Sequence, residues 1–224
     1  MDYLIKNFKE SLISSSENAL KDYLEIGIDR LIEDGILKDI PIVNSIISGL
    51  NIAKNVRDII LLKQTMLFIN ELNNGTINKD KLITYKSTIE NNPKKCEEEL
   101  GRVLVYLNIF IDEEKSVMLA KLFKAYIKQQ INWNEFCEFS EVINRLFIQD
   151  LQILKKIKDM DIDLMFSQED EFRAERLYSI GLIGMSFKAL TYGDIKDGHI
   201  NSGRTISPLG KKFCEIIFWG ANYV

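Results

Sequence analysis

The residues able to do chemistry in this chain are few and far apart. His199 is the single histidine, and histidine is the side chain best suited to neutral-pH acid/base work and to metal ligation. Cys96, Cys137 and Cys214 are the only thiols. Their wide spacing, odd number and lack of a CxxC pair match neither a disulfide framework nor a zinc site. A Cys–His nucleophile pair would need His199 to fold back onto one of them. Each cysteine sits among apolar residues at helical spacing, so buried, reduced thiols are expected. The one metal-like arrangement is DMDIDLMFSQED, residues 159–170. Asp159, Asp161 and Asp163 alternate as in the start of a calcium loop, and Asp170 stands at the twelfth place. But Leu164 occupies the sixth position, where the sharp turn needs glycine, and the closing bidentate Glu is replaced by a shorter Asp. A solvated acidic turn is the expectation. No Gly-rich phosphate loop, dinucleotide fingerprint or nucleophile elbow occurs. The acidic runs Glu97–Glu99 and Asp112–Glu114 are expected in first helical turns, where they offset the helix dipole without acting as an acid/base pair. These residue types predict no catalytic group, no metal and no cofactor, hence a protein that is not an enzyme.

Charge excludes a further class. The 224 residues carry a formal charge of −4. It is spread evenly: residues 1–75 sum to −3, residues 76–144 to −1 and residues 145–224 to zero. No third forms the basic face that non-specific nucleic-acid binding requires. The N-terminal MDYLIKNFKES lacks a basic region followed by an apolar core, and a cytoplasmic, reducing location is expected. The abundance of Ile, Lys and Asn suggests an AT-rich genome. Residues 36–55 are apolar but include Lys38, Asp39, Asn44, Ser45, Ser48 and Asn51, too many polar groups for a stable span of about 20 residues. A soluble protein that inserts a hairpin from residues 40–72 is an alternative reading, and a membrane partner ranks below a protein partner.

The elements that would position these groups are helices. Three prolines and few alternating runs argue against a sheet-built core. Residues 2–33 place Ile5, Phe8, Leu12, Leu20, Leu24, Ile28 and Leu31 on one stripe, with a possible break at Ser14–Ser16 and an end at Gly35. Pro41 opens an all-round apolar segment that runs to Asn73–Gly75, a core helix by pattern. Asn92 and Pro93 read as cap and first residue of a helix with Leu100, Val103, Leu104 and Leu107 inside. The next helix carries Leu119, Leu122, Phe123 and Tyr126. Asn132 and Glu135 resemble a capping box and lead an amphipathic run through Phe136, Phe139, Ile143, Phe147, Leu151 and Leu154. Trp133 and Trp219 read as packing anchors at helix ends.

The pattern changes near residue 145. LFIQDLQILKKI reads as a helix, DIDLMFSQ as a clipped one, and EDEFRAERLYSIGLI as a third, with Phe172, Leu177 and Ile180 inside. MSFKALTY and HINSGRTI flank a Gly-Asp-rich turn that suits a β-hairpin. Ser207 and Pro208 open a last helix with Leu209, Phe213, Ile216 and Ile217 inward. LYSIGLI, the ribbon and TISPLGKKF together resemble a winged-helix domain, over about the last third of the chain. That resemblance implies a third helix aimed at the major groove and a wing on the phosphates. Arg173 and Arg176 would then reach bases, Arg204 and Lys211 would hold phosphates, and Lys188 and Lys212 would add to the wing's charge. The helix departs from the family pattern, since Glu169, Asp170, Glu171 and Glu175 oppose a phosphate backbone.

Residues 112–146, with an acidic start, a small turn and a second helix, are also similar to the paired helices of bacterial stress-response domains of the tellurite-resistance type, and no binding residue carries over. The expectation is a mainly α protein: a helical body, residues 1–144, and a winged-helix-like module with a small β-hairpin, residues 145–224. The leading functional expectation is a non-enzymatic interaction or regulatory protein, in bacterial stress response or phage defence, whose partner is another protein or a second copy. A DNA-binding regulator is the first alternative and a membrane-active effector the second.

Overall fold

The structure is a computed structural model that describes residues 2–14, 41–49, 56–74, 77, 79–159, 168–187 and 202–219. The fold is mainly α: among the described residues there are ten α-helices and one two-stranded antiparallel sheet. The chain divides into two compact units, Met1–Ser140 and Glu141–Val224.

The first unit holds α1 (Asp2–Ser14), α2 (Pro41–Gly49), α3 (Val56–Asn73), α4 (Lys79–Asn91), α5 (Pro93–Ile109), α6 (Glu113–Ile127) and the start of α7 (Trp133–Arg145). Helix α3 is central and packs on α1, α2, α5 and α6. Its apolar residues face neighbours on several sides, which is why the sequence is apolar nearly all round. A file of fully buried rings runs through the unit: Phe8 to Phe68 at 5.8 Å, Phe68 to Phe123 at 5.8 Å and Phe123 to Phe136 at 5.6 Å between centroids. Such tilted pairs add to the burial term. Buried polar side chains join the helices, although Thr65 Oγ1 and Asn73 Nδ2 make no hydrogen bond. Asn7 Nδ2 donates to Ser45 Oγ at 2.5 Å, and Ser11 Oγ accepts from the Ile42 backbone N–H at 2.8 Å, which fixes α1 on α2. Gln64 donates to the Ile111 carbonyl and accepts from Ser116 Oγ. The apolar residues Ile42, Val43, Ile46, Leu62, Met66, Phe68 and Ile69 are core here. No helix among the described residues is long and apolar enough to cross a membrane.

Several local rules act as expected. Asn92 Oδ1 accepts from the Lys95 N–H with Pro93 in the first turn. Asn132 and Glu135 make a reciprocal capping box at 3.0 and 2.8 Å. Of the 2–33 stripe, Ile5, Phe8 and Leu12 lie in α1 and are buried; Ser15, Ser16, the rest of the stripe and Gly35 lie outside the described residues. All described cysteines are free, with Cys96 and Cys214 buried and Cys137 half-buried. Burial pushes the thiols of Cys96 and Cys137 up, so they stay protonated.

Other expectations need correction. Helix α4 gave no apolar signal because, of its described side chains, only Ile89 is withdrawn from solvent. The run from Asn132 to Leu154 is not one helix. Helix α7 stops at Arg145, and Phe147 takes an extended conformation before a 3-10 turn, Ile148–Asp150. Phe147 leaves the core and is 56% exposed. The acidic run Glu97–Glu99 lies beyond the first turn of α5, which holds no acid.

The second unit continues with α8 (Leu151–Asp159), α9 (Gln168–Ser179), β1 (Ile183–Phe187), β2 (Ser202–Ile206) and α10 (Pro208–Trp219). The strands pair from Ile183↔Ile206 to Phe187↔Ser202, and α8 packs on α9 and β2. Helix α9 ends in a Schellman motif: the Leu182 N–H bonds the Leu177 carbonyl, the Gly181 N–H bonds the Tyr178 carbonyl, and Gly181 has φ +80°. Ser207 Oγ accepts from the Gly210 N–H at 2.8 Å and donates to the Gly181 carbonyl, so the α10 cap also ties the helix to that turn. A Cβ on Gly210 would lie 1.9 Å from the Leu182 carbonyl oxygen, so only glycine permits this approach. Leu177, Phe213 and Ile217 are buried as expected, and Leu209, Ile180 and Ile216 are half-buried. Phe172, expected inside, is 62% exposed.

Candidate functional site

Two of the six cations expected to face DNA are locked onto acids. Arg176 on α9 grips Asp150 with two nitrogens, its Nε donating at 2.8 Å and its Nη2 donating to the second oxygen. The bonds to Asp150 raise the guanidinium further above its ordinary value. Arg204 on β2 donates to Glu175 Oε1 at 2.7 Å and also to Glu171, both on α9. Its side chain is only 8% exposed. Burial works against its charge, and the two carboxylates outweigh that and raise it. Arg173 and Lys212 are half-buried and have partners of their own. Lys211 is exposed on α10. Lys188 lies outside the described residues, as do His199 and residues 160–167 of the acidic segment. Asp170 pairs with Lys156 at 3.2 Å. Among the described residues no group of three or more His, Cys, Asp or Glu side chains could hold a metal ion.

The ion pairs shape what α9 presents. The Arg176 guanidinium lies 4.6 Å from the Phe147 ring centre and 4.9 Å from that of Phe172, a stacked arrangement that favours a cation on π faces. Arg204 lies 5.8 Å from the Tyr178 ring. Phe147, Phe172, Tyr178 and Met185 are all exposed, and Glu171 and Glu175 stand beside them. Exposed aromatics interleaved with arginine are the composition of protein-contact centres. The sequence missed this surface because Phe147 and Phe172 match a helical core stripe by spacing alone.

A second feature lies wholly in the first unit. A cleft of about 540 Å³ opens between α4, the end of α6 and the turn into α7. Lys81, Thr84, Tyr85 and Thr88 line it from one stripe of α4, Lys95 from α5, and Tyr126 and Trp133 close the far wall. Under this wall sits Glu99, 2% exposed. It accepts from Tyr85 Oη at 2.9 Å and Tyr126 Oη at 2.5 Å, with Lys95 Nζ at 3.5 Å. Burial pushes both phenols well up, and the Glu99 carboxylate adds to the rise. Held neutral, they act as donors to the carboxylate and not as proton shuttles at neutral pH. Trp133 Nε1 donates to Glu98 at 3.1 Å, and its ring stacks on Phe136 at 4.9 Å. Helix α6 ends in a second Schellman motif, with the Gln130 N–H on the Ala125 carbonyl and the Gln129 N–H on the Tyr126 carbonyl. Gln129, on the lip of the cleft, takes φ +62°, the one positive φ outside glycine among the described residues. Glu99 was expected only as dipole compensation; nothing in its spacing reveals two phenols arriving from 14 and 27 residues away.

No protein-family model matches the chain, and no curated protein or solved structure matches it.

Proposed function

We propose that this chain is a non-enzymatic interaction protein that contacts another protein through the outer face of α9. One observation carries the reading: Arg176 stacked between exposed Phe147 and Phe172. A rigid aromatic–arginine cluster offers large contact area with little rotamer entropy left to lose, which is what binding hot spots need. The same surface suits a protein better than a nucleic acid. Glu171 and Glu175 are 45% and 63% exposed, and both would meet phosphates in a groove. The guanidinium of Arg204 already faces these two acids. The helix–ribbon–helix order of the second unit supports a winged-helix-like reading in which the third helix meets protein. A role in bacterial stress response or phage defence belongs to the same proposal and is supported by composition alone.

The test uses the full chain and its Phe172→Ala and Tyr178→Ala variants, both at exposed positions. A protein captured from nuclease-treated native lysate is purified and remixed with the chain, and the complex is followed by sedimentation. A defined complex that weakens at least about tenfold in Phe172→Ala supports the proposal. A salt-sensitive DNA band shift lost in Arg204→Ala with Lys211→Ala, and unchanged in Phe172→Ala, overturns it in favour of the DNA-binding alternative.

A further inference from the structure

The cleft of the first unit goes beyond this reading. We propose that it binds a small planar anion: an aromatic or heteroaromatic ring carrying a carboxylate or a phosphate.

Three features point to that chemistry. The polar tips of all three aromatic side chains are turned onto α5 carboxylates, Tyr85 and Tyr126 onto Glu99 and Trp133 onto Glu98. Ring surface, and not hydroxyl or indole N–H, is therefore what these side chains offer to a guest. Tyr85 meets Tyr126 edge-on, 6.1 Å between centroids and 80° between planes, and Tyr126 meets Trp133 tilted, at 5.3 Å and 52°. An aromatic ring is the guest that such a mixed lining of ring edges and faces takes up best.

Two ammonium groups also line the cleft, Lys81 from α4 and Lys95 from α5. Lys81 Nζ donates one proton to the Lys128 carbonyl at 2.6 Å, and Lys95 Nζ lies 3.5 Å from Glu99. Each keeps further N–H groups for a second acceptor. Thr84 and Thr88 each donate their hydroxyl to a carbonyl four residues back at 2.8 Å. The single acid lining the cleft, Glu135, is committed to the Asn132 N–H at 2.8 Å. The two threonines are thus left as acceptors toward a guest, and the remaining N–H groups of Lys81 and Lys95 are what meets an anionic group; a cationic group would face the same two charges.

The third feature is the lip. Gln129 holds a left-handed backbone at a helix terminus where glycine is the usual residue, while the equivalent turn after α9 uses Gly181. A strained side chain kept at the mouth of a polar cleft is the pattern seen where a residue serves a ligand. The volume, about 540 Å³, falls in the range of small-molecule sites.

The experiment uses the full chain with Trp219→Phe, so that Trp133 is the only indole. Adenosine monophosphate and benzoate are titrated against adenosine, benzamide and inorganic phosphate, by Trp133 fluorescence and by calorimetry. At least one ring-bearing anion is expected to bind about fivefold or more tightly than its neutral counterpart and than phosphate alone. Lys81→Ala is expected to erase that preference and Lys81→Glu to reverse it. Lys81 stands on the exposed rim, and an unchanged far-UV spectrum certifies the fold of both variants. Preference for adenosine monophosphate assigns the anion as a phosphate, and preference for benzoate assigns it as a carboxylate. Equal binding of neutral and charged rings overturns the proposal. So does equal binding of bare phosphate, no binding up to millimolar concentration, or a preference that survives Lys81→Glu.

Discussion

Asp150 and Arg176 are joined by a two-pronged contact whose partners differ in burial: the Asp150 side chain is 1% exposed and that of Arg176 is 28% exposed. Asp150 closes the 3-10 turn after α7, and Arg176 lies near the end of α9. The pair therefore fastens two elements that the sequence separates by 26 residues. It also orients the guanidinium that Phe147 and Phe172 stack against, so the fold of the second unit and its outer surface share one anchor.

The difference in burial makes the two halves of the pair unequal. Arg176→Ala leaves a carboxylate in the interior without a counter-charge, and a loss of about 3 kcal/mol is expected. Asp150→Asn leaves a guanidinium that reaches water and an amide that still accepts one bond, and a loss of about 1–2 kcal/mol is expected. Urea unfolding of the two variants, followed by far-UV circular dichroism, checks the order. Equal losses would mean that the pair behaves as an exposed one.

How much of this was readable in advance follows from the range of the signals. Asn92, Asn132–Glu135 and Ser207–Pro208 are local devices complete within four residues, and each cap forms as its residue types dictate. The ribbon is local too, since Gly-rich turn chemistry announces it on both sides. Phe147 and Phe172 were misplaced because periodicity says which residues share a stripe and not which stripe is buried. Both rings pack on Arg176, whose partner Asp150 is distant in sequence. The cleft was invisible for the same reason. Glu99 draws Tyr85 from α4 and Tyr126 from α6, a convergence that no window of one helix contains. Helix α4 was overlooked because it buries so little apolar surface, and that open face is what leaves room for the cleft.

Glu99 is the keystone of that convergence. Glu99→Ala removes the acceptor of two partly buried phenols and the counter-charge of Lys95, and a loss of about 2–3 kcal/mol is expected. Glu99→Gln keeps one acceptor and turns a charge-assisted pair of bonds into neutral ones, for about 1 kcal/mol. In the Trp219→Phe background, Trp133 emission reports the unfolding of this unit directly, because its Nε1 bonds the adjacent Glu98. A Glu99→Ala protein as stable as its parent would show that water replaces the carboxylate without loss.

The two phenols also set an alkaline limit. Both are held above the ordinary tyrosine value of 10.0, first by burial and then by Glu99. A raised folded value means that the fold favours the protonated form. The stability this contributes is fully present below about pH 10 and is lost above it, as unfolded tyrosines ionise and folded ones do not. Lys128 works the other way: burial, Lys124 and Lys81 lower its value, so its contribution rises with pH over the window just below 10.5. The expected result at 295 nm is that Tyr85 and Tyr126, two of the eight tyrosines, ionise only with unfolding. Lys128→Gln should steepen the alkaline loss. Smooth titration of all eight below the unfolding transition would refute the network.

Gln129 gives the sharpest contrast between stability and site. Helices α6 and α9 end in the same Schellman arrangement, yet one has Gly181 at the left-handed position and the other Gln129. A side chain there crowds the following carbonyl, at roughly 1–2 kcal/mol. Glycine removes that strain but adds freedom to the unfolded chain, which offsets part of the gain. Gln129→Gly is therefore expected to stabilise the first unit by about 0.5–1 kcal/mol, measured by urea unfolding through Trp133. The Gly181→Ala change should have the opposite sign, because it places a Cβ at φ +80° and 3.3 Å from Leu209. If Gln129→Gly destabilises instead, the glutamine side chain contributes contacts that outweigh the strain, and the turn is then built for stability and not for the cleft beside it.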